Sequence, residues 1–402
     1  YMPLFGRALL EMGTQHEDRV ALSRRIGRNT GGIWTGRILS SVLNQDASIA
    51  RFLIRGKAMA HQASDMTAIM HDVLTQPKFD DHARFKEMVL EQRASLESRL
   101  IPSGHSVVSS RLGAHFSESG WVAEQVGGIE QLVFLRALAT RLDSDWSDIL
   151  ADLEELRTTL VNRMGALVNI TTDADTFAHF QPTLSQFLTQ LPGHEAPHED
   201  WSVQTDGPDE GLILPAQVNY VGVGSNLYEQ GYTYHGSAAV ITRYLGTSHL
   251  WEKIRVQGGA YGAFCNFSRM SGLMRFLSYR DPNLKQTLDN FAATANFLKT
   301  TDLNAQQLSR SIIGTIGDID AYQLPDAKGY SAMLRHMLKV TDEERQRIRD
   351  EILNTRIDHF RQFGEILEHH NANLKTVVLG SSDAIHTFNA EHGGNLKPNK
   401  VL

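Results

Sequence analysis

The sequence predicts an α+β fold made of two similar units, and three observations lead to this prediction. The chain has 402 residues, of which 41% are hydrophobic and 21% charged, enough material for more than one globular core. Residues 192–211 are rich in proline, glycine and acidic side chains, lie near the midpoint and have the composition of a linker. Similar motifs recur in the same order on both sides of this linker, which indicates an internal duplication.

The duplication is visible in paired landmarks. The motif Glu11–Thr14 (EMGT) and the motif Tyr244–Thr247 (YLGT) each precede a Gly-Gly pair. Each pair is followed by an RFL motif, which begins at Arg51 in the first half and at Arg275 in the second. The alternative is two unrelated α+β domains whose spacings agree by coincidence.

Both units have the same predicted order of elements: two helices, two adjacent strands, several long helices, a late strand and a final helix. In the second unit, Leu212–Gly224 is predicted to be one strand, because apolar and β-forming residues alternate along it. Further strands are predicted at Ala260–Ser268, Gly272–Tyr279 and Leu374–Gly380, the last of which has its counterpart near Ala166 in the first unit. Helices are predicted at His235–Leu245, Ser248–Arg255, Asn283–Leu298, Asn304–Ile319, Asp326–Val340 and Glu343–His369.

The predicted division follows from the linker and the repeat. We expect a first domain at 1–191, a linker at 192–211 and a second domain at 212–402. No counterpart of the strand at Leu212–Gly224 precedes the first helix, so we expect the first domain to lack its first strand.

Composition narrows the classes of function and location. The net charge of −7 argues against a nucleic-acid partner, and no apolar run is long enough for a transmembrane helix. Cys265 is the only cysteine, which excludes an intramolecular disulfide and fits a reducing compartment such as the cytoplasm or an organelle matrix. Its aromatic neighbours in a predicted strand favour a buried, unreactive thiol. The chain begins at Tyr1 in a helical pattern without a signal peptide, which is typical of a soluble piece of a longer polypeptide.

One segment matches a zinc-hydrolase pattern. His194–His198 (HEAPH) fits H-E-x-x-H, in which two histidines on one face of a helix bind zinc. Pro197 lies inside the motif, where it removes a helical hydrogen bond and disfavours helical geometry at the preceding residue. The reversed pattern H-x-x-E-H does not occur with the required spacing. We therefore predict a solvated loop at this segment and no metal ligands in the chain.

The most distinctive segment is Leu250–Phe264 (LWEKIRVQGGAYGAF). It predicts a helix that ends near Arg255, a glycine pair at Gly258 and Gly259, and a strand that carries Tyr261. Glycines at the start of a strand permit close approach of packed structure or of an extended ligand. The arginine and the tyrosine offer donors for a carbonyl or carboxylate group. The structural alternative is an arginine in a salt bridge and a half-buried strand tyrosine.

Four segments of the second half carry a family resemblance: Trp251–Phe264, Phe276–Leu284, Gly314–Leu338 and Val340–Leu353. They resemble the C-terminal half of the presequence-protease-like branch of the pitrilysin/insulysin family, whose members are zinc metallopeptidases with an inverted zinc motif. The resemblance implies two homologous α/β domains, each a mostly antiparallel sheet packed against helices, in a LuxS/MPP-like metallopeptidase fold. These would be the third and fourth domains of such an enzyme, which closes around a peptide chamber.

The resemblance also implies a division of labour. Zinc and its ligands would belong to an N-terminal catalytic half of the same polypeptide, and none is expected in this chain. Arg255 and Tyr261 match the arginine and tyrosine with which the C-terminal half binds the substrate carbonyl and oxyanion, and Gly258 and Gly259 would line the substrate. In the first unit, Trp34 stands where the tyrosine would be, so no catalytic role is expected there.

The sequence thus predicts the substrate-binding half of a peptide-degrading zinc metallopeptidase, inactive when alone. Its expected partners are the N-terminal half and unfolded peptides, with no nucleic acid and no membrane. Two alternatives remain: a non-catalytic scaffold or subunit of the same fold, and a peptide-binding module unrelated to proteolysis.

Overall fold

The computed structural model describes residues 1–195, 203, 205, 207–370 and 374–402. The helices in these ranges are α1 (Met2–Glu11), α2 (Arg19–Asn29), α3 (Ala63–Thr75), α4 (His82–Arg99), α5 (Gly104–Ala114), α6 (Glu118–Gly127), α7 (Ile129–Arg141), α8 (Trp146–Leu160), α9 (Ala174–Gln190), α10 (Ser237–Thr247), α11 (Lys285–Ala292), α12 (Thr294–Thr300), α13 (Ala305–Ile319), α14 (Pro325–Met337), α15 (Asp342–Leu353), α16 (Ile357–His370) and α17 (Ser382–His392). The strands are β1 (Ile33–Ser41), β2 (Ser48–Gly56), β3 (Glu210–Ile213), β4 (Tyr220–Asn226), β5 (Gly262–Phe267), β6 (Leu273–Tyr279), β7 (Lys375–Gly380) and β8 (Lys397–Lys400).

The strands form two sheets. β1 and β2 make an antiparallel hairpin, and the other six strands make a sheet in the order β5-β6-β4-β7-β3-β8. The pairs β5–β6, β6–β4 and β4–β7 are antiparallel, whereas β3 runs parallel to both β7 and β8. The predicted α+β class with mostly antiparallel sheets is therefore confirmed. Within the described ranges, no helix is both long and apolar enough to cross a bilayer.

Both faces of the six-stranded sheet are covered, because successive side chains of a strand point to opposite faces. On one face, Val221 and Val223 of β4 pack with helices of the second half in the largest apolar cluster of the described chain. On the other face, Tyr220 and Leu277 pack with Val108 of α5 and with other residues of the first half. A helix from the first half of the sequence thus completes the core of the second-half sheet.

Close approach of α5 to the sheet depends on one small residue. A Cβ atom at Gly222 would lie 2.3 Å from the Val108 side chain, so any larger residue would push the helix away from β4. The hydroxyl of Tyr220 donates a hydrogen bond to the backbone carbonyl of Ile101, just before the helix. The packing and this bond fix α5 against the sheet.

The predicted strand at Leu212–Gly224 is wrong as one element. The structure divides it into β3 and β4, and residues between Ile213 and Tyr220 form no strand. Pro215 explains the break, because proline has no N–H for a strand ladder. The two resulting strands lie apart in the sheet, with β7 between them.

Other element boundaries also differ from the predictions. The segment near Ala166 was expected to form a late strand, but it is irregular up to α9. The helix predicted at Glu343–His369 is broken between Leu353 and Ile357, and the helix predicted at Asn283–Leu298 is divided into α11 and α12. The hairpin predicted at Ala260–Ser268 and Gly272–Tyr279 and the closing strand β7 are confirmed. The domain division at 192–211 remains a prediction.

Candidate functional site

The candidate residues lie in one continuous segment at the mouth of β5. After α10, the chain forms a π-helical turn at Trp251–Gln257, where an α-helix was predicted up to Arg255. π-Helical turns are rare and are frequently found at functional sites. Gly258 and Gly259 then lead the chain into β5.

The two glycines have different structural requirements. At Gly258 a Cβ atom would lie 2.6 Å from the carbonyl oxygen of Ile254, so only glycine fits against the preceding turn. Gly259 has a φ of +80°, which lies in the left-handed region that glycine adopts without steric cost. The expected glycine step is therefore present, and its causes are a close backbone contact and a left-handed residue.

Arg255 is exposed and stacks on an aromatic ring of the same turn. Its guanidinium carbon lies 3.9 Å from the centre of the Trp251 ring, a cation–π arrangement. In the described part of the chain Arg255 forms no ion pair, so the predicted alternative of a structural salt bridge is not what the structure contains. Stacking leaves the N–H groups at the rim of the guanidinium plane available to an acceptor.

Tyr261 is 68% exposed, in contrast to the half-buried tyrosine of the structural alternative. Its backbone N–H donates to the carbonyl oxygens of Tyr279 at 3.0 Å and Arg280 at 3.4 Å, which ties it to the end of β6. The guanidinium carbon of Arg280 lies 5.8 Å from the centre of the Tyr261 ring. The backbone is thus held while the aromatic side chain faces solvent.

A buried polar cluster beneath the glycines holds this junction. Asn283 donates from its side chain to the carbonyl oxygen of Gly258 at 2.6 Å. The carboxylate of Asp281, which is 0% exposed, accepts from the backbone N–H of Asn283 at 2.9 Å and from the hydroxyl of Thr287 at 2.7 Å. Burial raises the pKa of Asp281, and its hydrogen bonds oppose that rise. These residues were not singled out in the sequence, although they belong to the segment that follows the RFL motif at Arg275.

The first half contains a related hairpin with a different aromatic residue. Gly32 also has a positive φ, +124°, and Trp34 follows it two residues later, as Tyr261 follows Gly259. Arg55 lies over the rings of both Trp34, at 5.5 Å, and Tyr330 of α14, at 4.0 Å. The hairpin β1–β2 therefore contacts the second half through this arginine, and the expected lack of catalysis at Trp34 stays a prediction.

The described residues do not fit a metal ion. Among them, no three His, Cys, Asp or Glu side chains come close enough to one another to hold a metal. The motif His194–His198 lies in part outside the described residues, which end at Glu195 on that side. Cys265 is half-buried in β5, and burial raises the pKa of its thiol.

Comparison with known proteins identifies relatives along the chain. Residues 209–383 match the family model described as the PreP C-terminal domain, and residues 1–138 match the model described as associated with peptidase family M16, subfamily C. Presequence protease 1 of Arabidopsis thaliana, chloroplastic and mitochondrial, is 42% identical over 402 residues, 100% of this chain and 37% of that protein. The mitochondrial presequence protease of Yarrowia lipolytica is 26% identical over 90% of this chain and 37% of its own length. The chain thus spans well under half the length of these curated relatives.

Solved structures share the fold. A peptidase M16 inactive domain from Pseudomonas fluorescens superimposes with a TM-score of 0.62 over 98% of this chain and 88% of that chain. At 13% identity, this likeness concerns the fold alone. It confirms the predicted metallopeptidase-type α/β architecture.

Proposed function

Because the chain belongs to the presequence-protease-like branch of the peptidase M16 family, we propose that it is the C-terminal, substrate-binding half of a zinc metallopeptidase that degrades unfolded peptides inside a closed chamber. The observation that carries the proposal is the pair of exposed donors, Arg255 and Tyr261, on either side of the glycine step.

The pair suits the binding of a peptide carbonyl oxygen. Hydrolysis of a peptide bond develops negative charge on that oxygen, and donors already aimed at it stabilise the transition state more than the ground state. Tyr261 would donate from its hydroxyl, and Arg255 would bind and orient the peptide backbone. The stacking of Arg255 on Trp251 reduces the rotameric freedom that substrate binding would otherwise have to restrict.

Zinc has no place in the steps that we derive from this chain. The donor set for a metal is not met among the described residues, so the ion would have to be held by the N-terminal catalytic half. Unfolded peptides are the proposed substrates, and the net charge of −7 would favour basic ones. The mitochondrial and chloroplastic names of the relatives point to an organelle matrix as the compartment.

A complementation assay tests the proposal. The chain is mixed with a separately produced N-terminal half of a relative, and cleavage of a quenched basic peptide is followed with each half alone as a control. We expect cleavage only in the mixture. Tyr261→Phe and Arg255→Ala should each lower kcat by roughly 10²- to 10³-fold, the usual effect of removing one such donor. Tyr322→Phe, which removes a hydroxyl from a tyrosine that is 83% exposed, is the matched control.

The rival functions give different results in the same assay. Normal cleavage by the Arg255 and Tyr261 variants in an active mixture would make the chain a scaffold and refute the assignment of the pair. Peptide binding without any gain in cleavage would indicate a peptide-binding module. Zinc-dependent cleavage by this chain alone would reinstate the motif His194–His198.

A further inference from the structure

A groove of about 460 Å³ opens between α5 and the β5–β6 hairpin, on the sheet face that α5 covers. Its lining is polar, with one aromatic side chain: it includes His105, Ser106, Ser109, Phe264, Asn266 and Arg275. No residue of this groove belongs to the Arg255–Tyr261 segment, which comes immediately before β5 in the chain.

Arg275 is the only charged side chain apart from histidine in the lining, and it lacks a carboxylate partner in the described chain. One terminal nitrogen, Nη1, donates to the hydroxyl of Ser109 at 2.8 Å and to its carbonyl oxygen at 3.3 Å. The Nε atom is buried and has no hydrogen-bond partner. Burial lowers the pKa of this guanidinium, so the charged form is held at a cost in free energy.

A neighbouring arginine shows how the same region treats a cation that is purely structural. Arg111, also on α5, contacts the carboxylates of Glu210 at 2.6 Å, Glu130 at 2.9 Å and Glu124 at 3.7 Å. Arg275 has none of this, although it also points to the α5 face. An anion bound in the groove would supply the missing partner.

The other side of the groove is built to receive a side chain. The ring of His105 stacks on Phe264 with 5.2 Å between ring centres, and its buried Nδ1 has no partner. Burial lowers the pKa of His105, which favours a neutral ring that can still donate one hydrogen bond. Phe264 itself is 38% exposed, so the groove has an aromatic wall that is open to solvent.

The groove runs along an open strand edge. β5 is the first strand of the sheet and, in the described chain, pairs only with β6. An extended peptide can add to such an edge through backbone hydrogen bonds, and its alternate side chains then point to the two faces of the sheet. Gly262, Phe264 and Asn266 share one face of β5, and Asn266 stands directly opposite Arg275 in the register.

We propose that this groove is a specificity subsite that binds the carboxylate of an acidic residue in an extended peptide paired with the open edge of β5. Arg275 would bind the carboxylate, and the hydroxyls of Ser106 and Ser109 and the amide of Asn266 would offer further donors. The inference rests on the proposed function for its peptide ligand, and it adds a preference for an acid at one position of an otherwise basic or neutral substrate.

Binding to the 402-residue chain tests the subsite directly. A neutral 12-residue peptide with a single glutamate, moved one position at a time, is compared by fluorescence anisotropy with the same peptides carrying glutamine. We expect at least one register in which glutamate lowers Kd by roughly ten-fold or more, the worth of hydrogen bonds to a charged group. Arg275→Gln should abolish that difference. Arg51→Gln, at the arginine of the other RFL motif, is the matched control and should preserve it.

A second variant keeps the test sharp if Arg275→Gln folds poorly. Asn266→Asp puts a carboxylate directly opposite Arg275, where cross-strand neighbours are close enough to pair. It should therefore occupy the subsite, abolish the preference for glutamate and leave folding intact.

The remaining outcomes separate this inference from the proposed function. If glutamate and glutamine peptides bind equally in every register while cleavage still depends on Arg255 and Tyr261, the subsite is refuted and the proposed function stands. A glutamate preference that depends on Arg275, found together with failed complementation, would keep the subsite and refute the proposed function. Inorganic phosphate that binds as tightly as the best glutamate peptide would overturn the assignment to a peptide.

Discussion

Replacing Gly259 by alanine isolates the backbone contribution of the glycine step to the site. The residue has a φ of +80°, where an L-residue other than glycine costs about 1–2 kcal/mol. The added Cβ atom would lie 3.7 Å from the nearest heavy atom, Pro282 Cγ, an ordinary contact that adds no clash. Alanine also restricts the unfolded chain, which returns about 0.4–1 kcal/mol. We therefore expect a net loss of roughly 1 kcal/mol, all of it from backbone geometry.

Two further variants make the expectation specific. Gly259→Asn should be less destabilising than Gly259→Ala, because asparagine tolerates the left-handed region better. Gly231→Ala is the matched control, since its φ is +87° and a Cβ atom there meets nothing within 4 Å. It should cost a similar amount of stability without changing peptide affinity, whereas Gly259→Ala should also weaken binding by displacing Tyr261 from Arg255.

Urea unfolding gives the stability differences from the shift of the midpoint at constant slope, and anisotropy gives the peptide Kd. The reasoning is refuted if Gly259→Ala is as stable as the unsubstituted chain, or if alanine and asparagine are equivalent. Equal loss of peptide affinity in Gly259→Ala and Gly231→Ala would show that binding follows general stability rather than the geometry of the step.

Three other predictions concern charge and burial. Arg111→Met leaves the buried carboxylate of Glu210 without a counter-charge and should destabilise the chain by about 3–5 kcal/mol in urea unfolding, whereas Arg243→Met, whose acidic partner is exposed, should cost about 0–1 kcal/mol. Burial raises the folded-state pKa of Asp281, so its contribution to stability is present below the unfolded pKa and is lost as pH rises through the folded pKa. Asp281→Asn should therefore gain stability relative to the unsubstituted chain as pH rises across that window, and a constant difference in unfolding free energy would contradict this. Cys265, whose thiol pKa burial raises, should be alkylated by iodoacetamide far more slowly in the folded chain than in urea, and equal rates would mean that β5 is not stably formed.

The parts of the fold that the sequence predicts well are those with strong local signals. The hairpin β5–β6 follows a glycine pair and alternates around a tight turn, so its position could be predicted to within a few residues. Long helices such as α13 begin at a clear capping box, here Asn304 with Gln307. Arg255, Gly258, Gly259 and Tyr261 could be selected because the motif keeps them together in the chain.

The errors arise where tertiary contacts decide. The segment near Ala166 was expected to be a strand because it resembles the stretch before β7, but β7 is paired on both sides by β3 and β4. The first half contains only the β1–β2 hairpin among its described strands, so no neighbour is available to pair with that segment. The π-helical turn, the cluster around Asp281 and the unpaired Arg275 depend on distant packing, and periodicity carries no signal for them.

The packing of α5 leads to a last prediction about the division of the chain. A fragment 207–402 keeps all six strands of the large sheet but loses the helices of the first half that cover one face. It would expose six apolar side chains of the third apolar cluster: Leu212, Leu214, Tyr220, Leu277, Val377 and Leu379. At about 1.5–3 kcal/mol for each buried large side chain, the loss is roughly 10 kcal/mol or more, comparable to the whole stability of a domain.

We therefore expect the fragment 207–402 to aggregate or to bind a hydrophobic dye, and a fragment 97–402, which retains α5 to α7, to fold cooperatively. Near-UV circular dichroism and dye binding distinguish the two outcomes. A well-folded 207–402 would show that the covering helices are dispensable and would support independent domains separated at 192–211. A folded 97–402 beside an unfolded 207–402 would mean that the functional unit around Arg255 and Tyr261 begins well before that linker, because the sheet that positions them needs a face supplied by the first half.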